Sequence, residues 1–201
     1  MPTAHEVILV RHGESLANIS GRFAYQIWDP PLSPKGNAQA QALSRWLARL
    51  PITYLATSPL KRAKDTIKPL ADEMGLEPYI LPQLVEVNLG QWDGAVLDQL
   101  RLSDADRFRD WMQDPETSPP PGGESILTVG RRVLSGLDQF LADRPSGLTV
   151  ATTHADCLKG TLLVVLDAPG HAARRVLSPN TAMLHLSRGQ SGRWSLRLGT
   201  P

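Results

Sequence analysis

A chain of 201 residues is long enough for one domain with a substantial core. Hydrophobic residues make up 41% and charged residues 20%, which is ordinary for a globular protein, and 21 basic residues against 20 acidic ones leave a net charge of +1. This balance argues against binding of nucleic acid or an anionic membrane through overall charge, and no apolar run approaches the length of a membrane span.

We expect neither a secretion signal nor a disulfide bond in this chain. The first five residues lead directly into an apolar run, so we expect no signal peptide. The single cysteine, Cys157, cannot form an internal disulfide or a thiolate metal cluster. We therefore expect a cytoplasmic protein, in which any anion chemistry depends on local clusters of basic residues.

Apolar runs and amphipathic stretches alternate along the chain. Strands are predicted over residues 6–10, 52–57, 77–82, 148–154, 182–187 and 194–198. Helices are predicted over residues 34–50, 59–74, 125–142 and 158–166. Ser33 before Pro34, and Ser58 before Pro59, have the composition of helix N-caps followed by proline in the first turn.

The segment at about 92–122 interrupts this alternation. It is mostly polar over residues 95–121, contains Trp111 and a proline cluster, and predicts a small helical lid over the sheet. Strands alternating with helices on either side predict an α/β protein, a three-layer α/β/α sandwich with a mostly parallel central sheet. We expect residues 1–201 to form a single domain.

Charged and polar side chains follow several predicted strands at the point where each strand ends. In chain order they are Arg11, His12, Arg62, Glu86 and His154. Sheets of this type bind ligands at the carboxyl ends of their strands, so we expect these side chains to converge. Guanidinium groups and the free N–H groups of helix starts bind tetrahedral oxyanions. The pattern therefore predicts a phosphate site.

Five stretches occur in order along nearly the whole chain: VRHGES, SPLKRAKDT, LVEVNLGQWDG, GGES and TTHADCLKG. Together they resemble the histidine phosphatase superfamily, the phosphoglycerate mutase-like enzymes, in the branch with an RHG motif. The resemblance implies that His12 is the nucleophile that becomes phosphorylated, and that Glu86 donates the proton to the leaving group. It also implies that the phosphoryl group is held by Arg11, Arg62, His154 and Asn18.

One position departs from the family pattern, which usually has glycine after the histidine of the fourth strand. Here Ala155 follows, and its backbone N–H can still bind phosphate, while its methyl group narrows the pocket. We expect an altered substrate fit rather than a loss of activity. Two other carboxylates, Asp93 and Glu14, remain alternative proton donors, and Asn18 has an alternative interpretation as a hydrogen-bonding loop residue.

Other polar side chains have structural interpretations. Arg131 and Arg132 are expected on a solvated helix face, and Cys157 is expected to pack inertly in a buried helix. Ser125, after the glycine pair and Glu124, is expected to cap the helix that follows.

The chemistry requires a neutral nucleophile, because an imidazole attacks phosphorus through a free lone pair. Arg11 and Arg62 would both bind the substrate dianion and keep His12 unprotonated, and a backbone carbonyl would set its tautomer. We therefore predict a metal-independent phosphomonoester hydrolase without a cofactor, which forms a phosphohistidine intermediate on small phosphorylated metabolites.

Two further functions remain open. The first is a phosphoglycerate mutase that depends on 2,3-bisphosphoglycerate, but the short lid, with arginines balanced by aspartates, favours hydrolysis over return transfer. The second is a catalytically idle module that binds phosphorylated ligands. The expected partner is a small phosphomonoester, with no nucleic acid or membrane, and the family resemblance is compatible with a homodimer.

Overall fold

The computed structural model describes residues 4–189 and 191–198, and within them six strands form one mixed sheet. The strands are β1 (His5–Arg11), β2 (Ile52–Thr57), β3 (Tyr79–Ile80), β4 (Leu148–Thr153), β5 (Met183–Arg188) and β6 (Trp194–Leu196). Their order across the sheet is β3-β2-β4-β1-β5-β6. Strands β1 to β4 pair in parallel, whereas β5 and β6 pair antiparallel at one edge, so the predicted mostly parallel sheet is confirmed.

Helices cover both faces of this sheet. They are α1 (Leu16–Ser20), α2 (Pro34–Leu47), α3 (Lys61–Met74), α4 (Leu97–Ser103), α5 (Ala105–Gln113), α6 (Ile126–Leu141) and α7 (Ala155–Val165). The alternate residues Ile8 and Val10 of β1 pack in the cluster with α2 and α3, while Val7 and Leu9 pack in the cluster with α6 and α7. The two-sided burial of β1 explains its continuous apolar run, and the predicted three-layer sandwich is confirmed.

Two of the predicted serine caps are present. The Ser33 hydroxyl accepts a hydrogen bond from the Gly36 N–H at 3.0 Å and caps α2, and the Ser125 hydroxyl accepts one from the Thr128 N–H at 3.4 Å and caps α6. The sequence predicted these two caps correctly because each cap depends only on residues three positions apart.

The prediction that Ser58 caps the next helix is wrong. Helix α3 begins at Lys61, and the Lys61 N–H donates to the Asp29 carboxylate at 2.7 Å. The Ser58 hydroxyl instead pairs with His154 at 2.8 Å. An aspartate from a distant loop therefore supplies the cap, which no local pattern could show.

Two further element boundaries differ from the prediction. Strand β3 has only two residues, because Pro78 and Pro82 lack the N–H groups that a longer pairing requires, and Pro82 starts a 3₁₀ turn. Helix α7 starts at Ala155 rather than at residue 158. Its first turn is polar, so the apolar pattern placed the helix start too late.

The segment 92–122 contains α4 and α5, which pack onto the core through aromatic side chains. Trp111 contacts Trp92 and Phe108 with ring centroids 5.7 and 5.6 Å apart, and both helices border the same apolar cluster as α6. The Trp92 indole N–H donates to Asp104 at 3.1 Å. The segment is therefore anchored by a buried aromatic group. Over the described residues, every helix is too short or too polar to cross a lipid bilayer.

Candidate active site

His12 lies immediately after β1, at the carboxyl end of the sheet. Its backbone N–H continues the pairing with β4 by donating to the Thr153 carbonyl at 2.9 Å, and the residue is 3% exposed. Its ring Nδ1 lies 2.6 Å from the Gly13 carbonyl oxygen. Since a carbonyl only accepts, the proton belongs on Nδ1, and Nε2 is unprotonated and accepts a hydrogen bond from the Arg62 Nε. The structure thus contains the carbonyl that the predicted chemistry requires.

The charge state of His12 is set by burial and by two arginines. Burial lowers its pKa, and the positive charge of Arg62, with a smaller effect from Arg11, lowers it further, to about 3. The hydrogen bond to the Gly13 carbonyl acts in the opposite direction but does not prevail. The imidazole is therefore neutral at physiological pH.

Arg62 is the second residue of α3 and is 2% exposed. Its Nε lies 3.3 Å from the His12 Nε2, while its terminal nitrogens donate to the Asp29 carboxylate at 3.3 Å and to the Ala24 carbonyl at 2.9 Å. The loop that carries Ala24 and Asp29 thereby orients the guanidinium beside the nucleophile. Such a planar, fixed donor group suits the oxygens of a phosphoryl group.

His154 follows β4 and is fully buried, with its ring centroid 5.2 Å from that of His12. Its Nε2 pairs with the Ser58 hydroxyl, while its Nδ1 is buried and has no hydrogen-bond partner among the described residues. Burial, Arg62 and the neighbouring His12 lower the pKa of His154 well below its ordinary value. His154 is thus a second neutral imidazole in the same site.

Arg11 ends β1 and is half-buried. One terminal nitrogen donates to the Ser178 carbonyl, and its Nε is buried without a partner among the described residues. Burial lowers its pKa, but the negative charges of Glu86 and Asp156 act against that change. Arg11 therefore remains a cation, and its charge lowers the pKa of both His12 and Glu86.

Glu86 lies in the loop after β3 and the 3₁₀ turn Pro82–Leu84. One carboxylate oxygen accepts a hydrogen bond from the Val87 N–H at 2.9 Å. Desolvation and the negative charge of Asp156 raise its pKa to about 7, against the opposite effects of that hydrogen bond and of Arg62 and Arg11. A carboxyl group with a pKa near neutrality can both donate and accept a proton.

The two alternative proton donors are engaged elsewhere. Glu14 accepts hydrogen bonds from the Ser33 hydroxyl at 2.8 Å and the Lys35 ammonium at 3.0 Å, and both bonds lower its pKa. Asp93 accepts bonds from three consecutive backbone N–H groups, those of residues 25–27. Both side chains hold loops in place, whereas the pKa of the Glu86 carboxyl is raised to about 7.

Asn18 is linked to His12 by hydrogen bonds through a third residue, Asn180, which the sequence did not single out. The Asn180 side-chain amide donates to the His12 carbonyl at 3.1 Å and to the Asn18 side-chain oxygen at 3.2 Å. Asn18 also accepts from the Ser15 N–H at 3.0 Å. The only sequence signal for Asn180 was the turn-forming stretch SPNT before β5, which suggests no chemistry.

Ala155 is the first residue of α7. The first hydrogen bond of that helix runs from Leu158 back to His154, so the N–H groups of residues 155–157 precede the intrahelical ladder. They lie at the same strand end as His154. Cys157 is fully buried and donates to the Val85 carbonyl at 3.0 Å, and burial strongly raises the pKa of its thiol, so it packs as an unreactive thiol as predicted.

The two adjacent arginines of α6 have different environments. Arg131 is exposed, as predicted, but the prediction for Arg132 is wrong. Its side chain is about four-fifths buried, with 21% exposed, and its guanidinium pairs with Glu124 at 2.8 Å. No group of three or more His, Cys, Asp and Glu side chains in the described part of the chain could hold a metal ion.

Comparison with known proteins places this site in a family. Residues 7–200 match the model of the histidine phosphatase superfamily (branch 1), and the chain belongs to that family. A relative from Yersinia pestis (strain Pestoides F) named "Probable phosphoglycerate mutase GpmB" is 31% identical over 186 residues, which cover 92% of this chain and 86% of that protein. The predicted resemblance to phosphoglycerate mutase-like enzymes is confirmed.

Solved structures share the fold over almost the full length. The mycobacterial glucosyl-3-phosphoglycerate phosphatase in complex with VO3 is 28% identical, with a TM-score of 0.85 over 96% of this chain and 98% of that one. Bacillus stearothermophilus YhfR is 24% identical, with a TM-score of 0.88 over 96% and 95% of the two chains. The protein is accordingly an enzyme of this superfamily, either a phosphatase or a mutase.

Proposed function

We propose that this protein is a metal-independent phosphomonoester hydrolase that forms a phosphohistidine at His12. The observation that supports this most directly is the arrangement of His12 itself: a neutral ring, its proton held on Nδ1 by the Gly13 carbonyl, and its Nε2 facing the Arg62 guanidinium at 3.3 Å. An unprotonated Nε2 beside a cation is what attack on a phosphoryl dianion needs, once the phosphoryl group takes the place of its hydrogen bond to Arg62.

The reaction has two steps. In the first, the His12 Nε2 attacks phosphorus, the bond from phosphorus to the ester oxygen breaks, and protonated Glu86 gives its proton to the departing alkoxide. In the second, ionised Glu86 takes a proton from a water molecule, whose oxygen attacks the phosphohistidine. The bond to Nε2 breaks, and inorganic phosphate and the neutral imidazole are released. A Glu86 pKa of about 7 suits both roles.

The phosphoryl oxygens would be held by groups at the strand ends. Arg11 and Arg62 supply positive charge, and the first N–H of α7, at Ala155, supplies a neutral donor. If the Ser58 hydroxyl donates to the His154 Nε2, the histidine proton lies on Nδ1, which is free to donate to phosphate. His154 would then act as a neutral hydrogen-bond donor.

The second candidate is a phosphoglycerate mutase, and the 31% identity to relatives of that name favours it. Against it, the arginines of the segment 92–122 form ion pairs with neighbouring aspartates: Arg101 with Asp98 at 3.2 Å, and Arg109 with Asp106 at 2.9 Å. They do not form a separate cationic clamp for a second anionic group. The mycobacterial relative is named a phosphatase, which agrees with hydrolysis.

A coupled assay separates the two activities. With 3-phosphoglycerate and 2,3-bisphosphoglycerate, we expect release of inorganic phosphate without interconversion of 2- and 3-phosphoglycerate. Efficient interconversion that depends on 2,3-bisphosphoglycerate would show that the protein is a mutase and not a hydrolase. A panel of phosphomonoesters, with His12→Ala as the blank, then identifies the substrate class.

Labelling of the protein with an acid-labile phosphoryl group tests whether it is instead a module that binds phosphorylated ligands without catalysis. The wild-type protein, quenched during turnover of a hydrolysed ester, should carry the label on His12. A protein that binds phosphate but never acquires the label and releases no phosphate would be a binding module.

A further inference from the structure

The loop that carries Glu86 is held by an arginine that lies outside the phosphate site. We propose that Arg132 is a positioning residue for the proton donor: by binding the backbone of residues 83–86, it keeps the Glu86 carboxyl within reach of the leaving group. This inference rests on the proposed function, since Glu86 is the proton donor in that mechanism. It assigns a role to a residue that the sequence placed on a solvated face.

The contacts of Arg132 to the loop are made to carbonyl oxygens. One terminal nitrogen donates to the Gln83 carbonyl at 2.6 Å and to the Val85 carbonyl at 3.0 Å, and the other donates to the Glu86 carbonyl at 3.3 Å. Three carbonyls within four residues therefore converge on one planar group. A guanidinium can satisfy them together because its donors are fixed in one plane.

Glu124 completes the arrangement from the other side. Its two carboxylate oxygens accept from the Arg132 Nε at 2.8 Å and from a terminal nitrogen at 2.9 Å, so the pair is bidentate. The same carboxylate accepts from the Asn88 N–H at 2.9 Å. The Arg132–Glu124 pair thus grips the loop on both sides of Glu86.

The support for this pair is rigid. Arg132 lies in α6, Glu124 lies two residues before that helix, and α6 packs closely against α7, the helix that follows His154. The residues on both sides of Glu86 lie outside regular strands and α-helices. The position of its carboxyl relative to His12 is therefore transmitted through α6 and not through the loop alone.

Arg132 acts on the position of Glu86 rather than on its charge. It contacts the backbone of Glu86, whereas the carboxyl oxygen contacts the Val87 N–H. Other anchors of the loop remain without Arg132: the Thr153 hydroxyl donates to the Leu84 carbonyl at 2.7 Å, the Cys157 thiol donates to the Val85 carbonyl, and the Glu124 N–H donates to the Asn88 carbonyl at 2.9 Å. Loss of Arg132 should therefore loosen the loop at Glu86 while leaving both of its ends attached.

The test compares two kinds of ester. An alkyl phosphate needs a proton on its leaving oxygen, whereas p-nitrophenyl phosphate does not, because p-nitrophenolate leaves as a stable anion. With Arg132→Met, which keeps the length of the side chain and removes its donors, we expect kcat/KM to fall on the order of 100-fold for the alkyl ester and less than about 10-fold for the aryl ester. Equal losses for both esters would overturn the proposal.

A matched control and a double variant sharpen this result. Arg131→Gln, at the exposed neighbour on the same helix, should leave kcat/KM unchanged for both the alkyl and the aryl ester. Combining Arg132→Met with Glu86→Gln should cost little more on the alkyl ester than Glu86→Gln alone, because both act through one proton transfer. Additive losses would mean that Arg132 acts elsewhere.

Hydrogen exchange gives a readout that needs no activity. In Arg132→Met the Val87 amide, which donates to the Glu86 carboxyl, should exchange faster, while the amides of β1 and β4 keep their protection. Unchanged exchange at Val87 would refute the anchoring even if the wild-type protein hydrolysed no ester, so the two failures are distinguishable. If Arg132→Met does not fold, Arg132→Lys replaces it, with a point charge and three rotatable donors instead of the planar fork, and the same two outcomes apply.

Discussion

At the scale of single residues, the candidate active site keeps two imidazole rings neutral beside a guanidinium group. His12 and His154 are both buried close to Arg62, and the desolvation of each ring adds to the effect of that cation. Neither ring needs a nearby carboxylate to control its proton. This differs from a pocket in which a histidine is orientated by an acid, and in the proposed mechanism the proton transfer falls to Glu86 instead.

Loss of the nucleophile should stop turnover. We expect His12→Ala to lower the rate of phosphate release by more than about 10³-fold, because the remaining groups bind and polarise the ester but cannot form the phosphohistidine. Steady-state phosphate release measures this, and mass spectrometry of acid-labile phosphate provides the matched readout. His171→Ala, at an exposed histidine after α7, is the control and should keep wild-type activity. Substantial turnover by His12→Ala would point to another nucleophile.

The pH profile should be controlled by Glu86. Because its pKa is about 7 and the first step requires the protonated form, kcat/KM should fall as the pH rises above about 7. The His12 pKa of about 3 predicts no loss from protonation of the nucleophile until far more acidic pH.

Glu86→Gln tests this assignment. It should lower kcat for an alkyl phosphate by about 10²–10⁴-fold, and the decline above pH 7 should disappear. Competitive inhibition by inorganic phosphate should persist, since Glu86 does not hold the phosphoryl group. A variant that keeps the same decline would assign it to another residue.

At the scale of secondary structure elements, the position of the site depends on how α6 packs against α7. The two helices approach at Gly130 and Gly160, where a Cβ on Gly130 would lie 2.2 Å from the Gly160 carbonyl oxygen. This close approach puts Arg132, two residues further along α6 from that contact, beside the loop of Glu86 and brings the start of α7 to the strand ends. Small residues at this crossing therefore serve the active site as well as the core.

Gly160→Ala should be destabilising. Its Cβ would lie 2.4 Å from the backbone carbonyl of Ile126, so the helices must move apart, and overpacking of this kind costs about 1–3 kcal/mol in the free energy of unfolding. Urea denaturation measures the change. Ser135→Ala, at an exposed position of α6, is the control, with an expected change within about 0.5 kcal/mol. Wild-type stability in Gly160→Ala would show that the crossing is not tight.

At the scale of the whole molecule, burial of the site links folding to pH. In the unfolded chain the two histidines bind protons below about pH 6.5, but folded His12 does so only near pH 3 and His154 is also depressed. Glu86 has the opposite effect, because its folded pKa of about 7 exceeds its unfolded value of 4.5. Between about pH 4.5 and 6.5 the two histidines outweigh one carboxyl, so the unfolded state binds more protons.

The free energy of unfolding should therefore decrease as the pH falls from about 6.5, and more steeply below about 4.5, where Glu86 no longer opposes the histidines. Urea denaturation at a series of pH values measures this. His12→Gln should show a flatter dependence, because one of the two depressed groups is gone. A wild-type protein that becomes more stable between pH 6.5 and 4.5 would contradict the linkage.

Much of the architecture was predictable from local patterns. The apolar run of residues 6–10, the amphipathic helices and the Ser33 and Ser125 caps each depend on residues a few positions apart, and the mostly parallel sheet followed from their alternation. The residues at the strand ends were also predictable, because every parallel strand delivers its carboxyl end to the same edge of the sheet.

Contacts between distant segments decided the rest. Arg131 and Arg132 carry the same local signal, yet only packing against the loop of Glu86 buries one and exposes the other. Ser58 matched a helix cap but pairs with His154, and Asn180 reaches His12 from 168 positions away. The sequence by itself determined which chemical groups stand at the end of the sheet. Only the tertiary structure decided their charge states and orientation, because burial, and with it the pKa of each group, arises when segments far apart in the chain exclude water together.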